Sequence, residues 1–219
     1  LARKLADVVV TEAGFAFDLG GVKFFDLKCR AGGFKPAAVV MVVTVKALRH
    51  HGGVDYKAGP NMAALVAGLK NVAAHFDAMD RMGIALPVLA INRFPDDSPE
   101  ELAAIKAFAE KRGTVAIEGF HFAEGGAGAE GIAREVARRL EAEPRDMPNY
   151  KSPYELTDAV PVKIEKLAKT VFGASGIELT EKAQADLAVI EKLGVAGRPI
   201  CVAKTHLSIS SDASLKGAP

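Results

Sequence analysis

The sequence is short of several residue types whose abundance would assign a protein to a function class. It contains no Trp, 3 Tyr and only 2 Cys. The cysteines, Cys29 and Cys201, form no C-x-x-C pair. They could form one disulfide, but two lone cysteines in a chain of this size favour reduced thiols in an intracellular protein. The formal net charge of +1 gives no electrostatic basis for binding nucleic acid or an anionic membrane.

Long apolar runs are also missing. The longest run, Pro36 to Val45, has about half the length that a membrane span needs. The N-terminus has neither an initiator Met nor a signal-peptide hydrophobic region, and its first residues resemble the middle of a helix. We therefore expect no membrane segment, and we expect the chain to be a fragment. Its 219 residues, 49% of them apolar, are enough for one large or two small domains.

Short apolar runs alternate with longer helical patterns along the chain. Such alternation predicts an α/β fold with a mostly parallel sheet and flanking helices. The predicted strands are Asp7 to Ala13, Pro36 to Thr44, Leu86 to Arg93, Thr114 to Gly119 and Pro199 to Thr205. The predicted helices are Asn61 to Met82, Pro99 to Arg112 with a capping box at Ser98, Gly131 to Ala142, Pro161 to Phe172 and Thr180 to Leu193.

Proline content divides the chain into three parts. Residues 1–142 carry the regular alternation and form the predicted parallel α/β domain. Residues 143–160 are rich in proline and are predicted to be a linker or a traversing loop. Residues 161–219 form a smaller, mainly helical α+β part with a short final strand.

Three nucleotide-binding signatures are incomplete. Gly126 to Gly131 fits G-x-G-x-x-G, but no second strand ending in an acidic residue follows, so a dinucleotide site is not predicted. Ala203 precedes Lys204 where a Walker A motif needs Gly, so the chain has no Walker A motif. Pro95 stands where a guanine-reading N-K-x-D motif needs its carboxylate. The five His also show no metal-ligand spacing, so no metal site is predicted.

Two strand ends provide candidate ligand contacts. Ligands of open α/β sheets bind outside the carboxyl ends of the strands, where Phe94 and Phe122 are placed to hold a flat ligand; both are otherwise ordinary core aromatics. The segment from Val45 to Gly53, predicted to be a polar turn, suits an anion or is simply solvated. Its candidate anion-binding residues are Lys46, Arg49, His51 and Gly52.

Six segments, in order along the whole chain, resemble one enzyme family. They are Val9 to Phe15, Asp18 to Gly20, Lys23 to Arg30, Val43 to Gly53, Ala90 to Pro95 and Cys201 to Thr205. They are similar to formate–tetrahydrofolate ligase, and the T-V-K-A-L-x-x-H-G-G form of the segment from Val43 to Gly53 is the most specific. The resemblance implies a P-loop-NTPase-like ligase fold, present here in part.

The resemblance also implies the reaction and its participants. Formate, ATP with Mg²⁺, and tetrahydrofolate are the expected substrates, and formyl phosphate is the expected intermediate. A monovalent-cation requirement and the physiological direction stay open. The phosphate-binding P-loop of the family would lie in a missing N-terminal half, so the chain alone is expected to be inactive. A homo-oligomer, commonly a tetramer among relatives, and a cytoplasmic location are expected, with no nucleic-acid or membrane partner.

Residue roles follow from the same resemblance. Phe94, Pro95 and Phe122 match positions that stack on the pterin or adenine ring, and Phe122 stands where relatives often have Trp. Glu12, Asp18, Lys46 and His51 are candidate catalytic residues. The two acids would orient substrate or bind a cation, with structural hydrogen bonding an equal alternative. Lys46 and His51 would neutralise a developing phosphate or the folate glutamate. Lys204 and Thr205 are further candidate anion contacts. The alternative to an enzyme part is a non-catalytic ligand-binding or oligomerisation module.

Overall fold

Three short strands form a parallel sheet in the computed structural model, which describes residues 1–142, 147, 149–205, 209, 210, 212, 215 and 218. The strands lie in the order β1 (Val40–Val43), β2 (Val88–Asn92) and β3 (Ala116–Gly119). β2 is central and is buried at all but its last residue, as expected for a parallel strand covered on both faces. The predicted α/β class with a parallel sheet and flanking helices is confirmed.

The long helices also lie where the apolar spacing predicts them. No described helix is both long enough and apolar enough to cross a membrane. Two π-helical segments, Ala16–Gly21 and Phe24–Cys29, precede the first α-helix. The α-helices are α1 (Arg30–Gly32), α2 (Val45–His51), α3 (Met62–Arg81), α4 (Pro99–Lys111), α5 (His121–Glu124), α6 (Glu130–Ala142), α7 (Val160–Phe172) and α8 (Glu181–Lys192).

The prediction of a polar turn after β1 is wrong, because helix α2 occupies that segment. The Thr44 hydroxyl accepts a hydrogen bond from the Ala47 backbone N–H at 3.0 Å, which is the usual N-cap contact. The following Lys, Ala, Leu and Arg are good helix formers. The segment's cations are therefore fixed on a helix, not on a solvated turn.

The capping box predicted for α4 is only half formed. The Ser98 side chain accepts a hydrogen bond from the Glu101 backbone N–H, and Pro99 opens the helix. The Glu101 carboxylate does not return to the Ser98 backbone. It accepts a hydrogen bond from the Asn61 N–H at 2.9 Å, because the N-terminal end of α3 offers a backbone donor nearby.

Two predicted strands do not form. Residues 7–13 have no regular structure, and Val8 and Val10 are 62% and 91% exposed. Residues 199–205 also form no strand, so the described C-terminal part is helical and not α+β. There the Ile200 backbone N–H donates to the Tyr154 hydroxyl oxygen at 2.6 Å instead of to a neighbouring strand. Apolar composition alone does not make a strand when no partner strand lies alongside.

Two apolar clusters form the core. One lies between the sheet and helices α2, α3 and α4. The other joins the segment 16–29, the C-terminal half of α3 and helix α7. Met147 and Tyr154, from the proline-rich stretch, are buried in this second cluster, while residues 143–146 and 148 of that stretch lie outside the described residues.

Candidate functional site

A tight turn follows β2 and carries Phe94 and Pro95. The Asp97 carboxylate accepts a hydrogen bond from the Phe94 backbone N–H at 2.8 Å, and the Asp97 N–H donates to the Phe94 carbonyl at 3.1 Å. Burial raises the pKa of Asp97, although the Phe94 N–H and the Arg93 guanidinium both oppose that rise. Both the N–H and the C=O of Phe94 are therefore hydrogen-bonded where the chain leaves β2, and the Phe94 ring is half-buried.

An ion pair joins the start of this turn to the neighbouring strand β3. Arg93 pairs with Glu118 of β3, and the register places Asn92 beside Gly119. Phe122 follows on α5, where 92% of its surface is exposed. Among the described residues no ring contact joins Phe122 to Phe94, so the structure places both near adjacent strand ends without pairing them.

Helix α2 directs its cations to different places. Nζ of Lys46 lies 4.6 Å from the centre of the Phe94 ring and 3.1 Å from Oδ1 of Asp96. The hydrogen bond from Lys46 holds the pKa of Asp96 below its usual range. Arg49 instead points inward and is only 1% exposed. Its Nε lies 3.9 Å from Oε1 of Glu101, and within the described part of the chain its guanidinium makes no hydrogen bond.

Glycine permits helix α2 to lie directly on α3. A Cβ at Gly52 would come within 1.8 Å of the Ala64 carbonyl oxygen, and a Cβ at Gly68 would come equally close to the Leu48 carbonyl oxygen. Real Cβ atoms do not approach backbone oxygens so closely. Gly52, a predicted anion contact, thus has a packing role that sequence spacing did not indicate.

A second cluster of candidates lies within electrostatic range of His75 of α3, a residue that sequence reasoning missed. Lys204 pairs with Asp18 at 2.6 Å and also donates to the Thr205 carbonyl. Burial lowers the pKa of His75; the Asp18 charge opposes this, and His51 and Lys204 lower the pKa further. His51, Asp18 and Lys204 therefore all lie within electrostatic range of one imidazole. The sequence signal that could have identified His75 is its position, since it is a polar residue within the buried apolar face of α3.

An open cavity of about 590 Å³ adjoins this second cluster. Glu12 and Lys204 line it, together with Lys23, Lys28 and the aromatic rings of Phe15 and Phe24. The volume lies within the range of small-molecule sites. Its lining combines apolar rings with more cations than anions, so it suits a ligand that carries negative charge. Lys23 and Lys28 were not predicted.

Comparisons with known proteins agree on one family. The family described as formate–tetrahydrofolate ligase matches residues 1–219. Curated relatives with that name include proteins from Methylobacterium sp. (strain 4-46), 47% identical over 99% of this chain, and Bacillus licheniformis, 44% identical over 100%. A Thermus thermophilus relative is 42% identical over 100% of the chain. In each case the chain spans 39% of the relative's length.

Proposed function

Because the chain belongs to the formate–tetrahydrofolate ligase family, we propose that it forms part of an ATP-dependent ligase acting on formate and tetrahydrofolate. In the proposed reaction, a formate oxygen attacks the γ-phosphorus of ATP and ADP leaves with the bonding electrons. The product is formyl phosphate. N10 of tetrahydrofolate then attacks the formyl carbon, loses its proton, and expels phosphate to give 10-formyltetrahydrofolate.

The observation that best supports a folate role for this chain is the fixed turn after β2. Phe94 and Pro95 present apolar surface at the carboxyl end of a central parallel strand, where α/β proteins bind ligands. The turn is held by the buried Asp97 carboxylate. We propose that the pterin ring stacks on Phe94, with Phe122 closing over it from the exposed α5.

We further propose that anionic groups meet the cations of the second cluster. Lys204 borders the 590 Å³ cavity, Thr205 follows it in the chain, and His51 lies within electrostatic range of His75. A phosphate or the glutamate of the folate is the anion that fits this lining. Glu12 and Asp18 would then orient the substrate or the lysine: Asp18 already holds Lys204 at 2.6 Å.

Magnesium would arrive as part of the ATP substrate. The described residues contain no group of three His, Cys, Asp or Glu side chains that could hold a metal ion. We therefore assign no metal ligand among the residues that the structure describes.

We propose that the chain alone binds folate without turnover. It spans 39% of its relatives' length, and its sequence contains no Walker A motif. The partner that would complete the enzyme is the remaining part of the same ligase, in a cytoplasmic homo-oligomer. A ligase assay with formate, ATP and tetrahydrofolate tests this, because turnover by the chain alone would refute it. Without the remaining part, the chain would act as a ligand-binding or oligomerisation module.

Calorimetric titration of tetrahydrofolate tests the folate site. Phe94→Ala and Phe122→Ala should each weaken binding by about 1 kcal/mol beyond the loss of buried area. Tyr56→Ala is a matched control, because this aromatic residue is also exposed, at 49%, but lies in the loop between α2 and α3, where its ring contacts His50. Binding that is indifferent to both Phe substitutions would place the folate elsewhere.

A further inference from the structure

One face of the Phe94 ring is covered by a cation from the same chain. Nζ of Lys46 lies 4.6 Å from the ring centre, within the range of a cation–π contact. We infer that Lys46 is a positioning residue that holds the Phe94 ring, and that a flat ligand stacks on the opposite face. This inference rests on the proposed function, because it assigns Lys46 a task in the same folate site.

The topology explains why the lysine is there. β1 and β2 are parallel neighbours, so their carboxyl ends lie at the same edge of the sheet. α2 begins directly after β1, and Lys46 stands in its first turn. The turn that carries Phe94 begins directly after β2. The first turn of α2 and the Phe94 ring are therefore brought together by the sheet itself.

The charge of Lys46 is already compensated. Its ammonium group lies 3.1 Å from Oδ1 of Asp96, and its hydrogen bond keeps the pKa of that carboxyl low. Asp96 belongs to the same turn as Phe94, so one side chain holds both the ring and the turn. A direct contact between Lys46 and a ligand anion would have to displace Asp96.

This arrangement restricts the ligand. The Asp97 carboxylate holds the Phe94 backbone, and Lys46 holds the ring. Ligand binding therefore costs little further conformational entropy at Phe94. Because a cation occupies one face, a second cation on the opposite face is disfavoured. The site therefore takes a flat, neutral or electron-rich ring, and a pterin meets this description.

A double-mutant cycle measured by tetrahydrofolate titration tests the inference. Lys46→Met should weaken binding about two- to fivefold, the factor that one exposed cation–π contact provides. Lys46→Arg should retain most of the affinity, because guanidinium groups also stack on rings. In a Phe94→Ala background, Lys46→Met should have no further effect. Lys169→Met is the control, since this lysine pairs with Glu165 of its own helix, α7, at 2.6 Å and should not alter binding.

Other outcomes separate the two proposals. If Lys46→Met weakens binding by the same factor with and without the Phe94 ring, Lys46 contacts the ligand directly and the inference is wrong. If Phe94→Ala leaves binding unchanged, the proposed folate site is wrong. If the chain binds no tetrahydrofolate, the proposal that the isolated chain contains the folate site is wrong. The double-mutant cycle of Lys46→Met and Phe94→Ala is then measured by urea unfolding. Non-additive midpoint shifts then support the positioning of the ring, and additive shifts overturn it.

Discussion

Disrupting the buried pair of Arg49 and Glu101 should destabilise the protein more than disrupting its surface ion pairs. Both side chains are about 1% exposed, and Nε lies 3.9 Å from Oε1. At that separation, an effective dielectric constant of about 20 gives an attraction of about 4 kcal/mol. Glu101 also accepts the hydrogen bond of the Asn61 N–H, so the pair links α2, α3 and α4 beside the Phe94 turn.

Arg49→Met leaves a buried carboxylate without its cation, and Glu101→Gln leaves a buried guanidinium without its anion. Each should lower the free energy of unfolding by about 3–5 kcal/mol. The double variant removes both charges, while the Gln oxygen can still accept from Asn61. It should therefore cost clearly less than the sum of the single variants.

Urea unfolding measures this cycle, with the slope m as a check that only stability has changed. Lys182→Met is the control: Lys182 forms an exposed pair with Asp186 at 2.8 Å, and such pairs contribute little, so no measurable change is expected. Single variants that cost less than about 1 kcal/mol, or costs that simply add in the double variant, would refute the reasoning.

Three other predictions follow from local geometry. Gly68→Ala should lower stability by about 1–3 kcal/mol, because the new Cβ would meet the Leu48 carbonyl oxygen at 1.8 Å, whereas Gly59→Ala meets nothing within 4 Å; thermal unfolding of both variants is the check. Ala16→Gly should raise the free energy of unfolding by about 1 kcal/mol, because Ala16 has φ +58°, a conformation that strains Ala but not Gly. An unchanged midpoint of urea unfolding would contradict this strain. Burial lowers the pKa of His75 below its ordinary 6.5, so below pH 6.5 the unfolded state binds a proton that the folded state does not. Stability should therefore fall as pH drops below 6.5, and His75→Gln should reduce that slope in unfolding curves measured from pH 7.5 to 5.

The sequence determined the parallel α/β class, the long helices and the family. These features depend on local patterns: apolar runs for β2 and β3, three- and four-residue spacing for α3, and a Ser-Pro start for α4. Such signals act within a few residues and need no distant partner. The position of Phe94 at a strand end was predictable for the same reason.

Tertiary structure decided which apolar stretches became strands and what each charged residue meets. Residues 7–13 have strand composition but no neighbouring strand, and hydrogen bonding across a sheet requires one. Lys46 and Arg49 lie three positions apart on one helix, yet one covers the Phe94 ring and the other is buried beside Glu101. His75 approaches Asp18 and Lys204 only because distant segments of the chain pack together. Those contacts depend on long-range packing, which residue spacing does not encode.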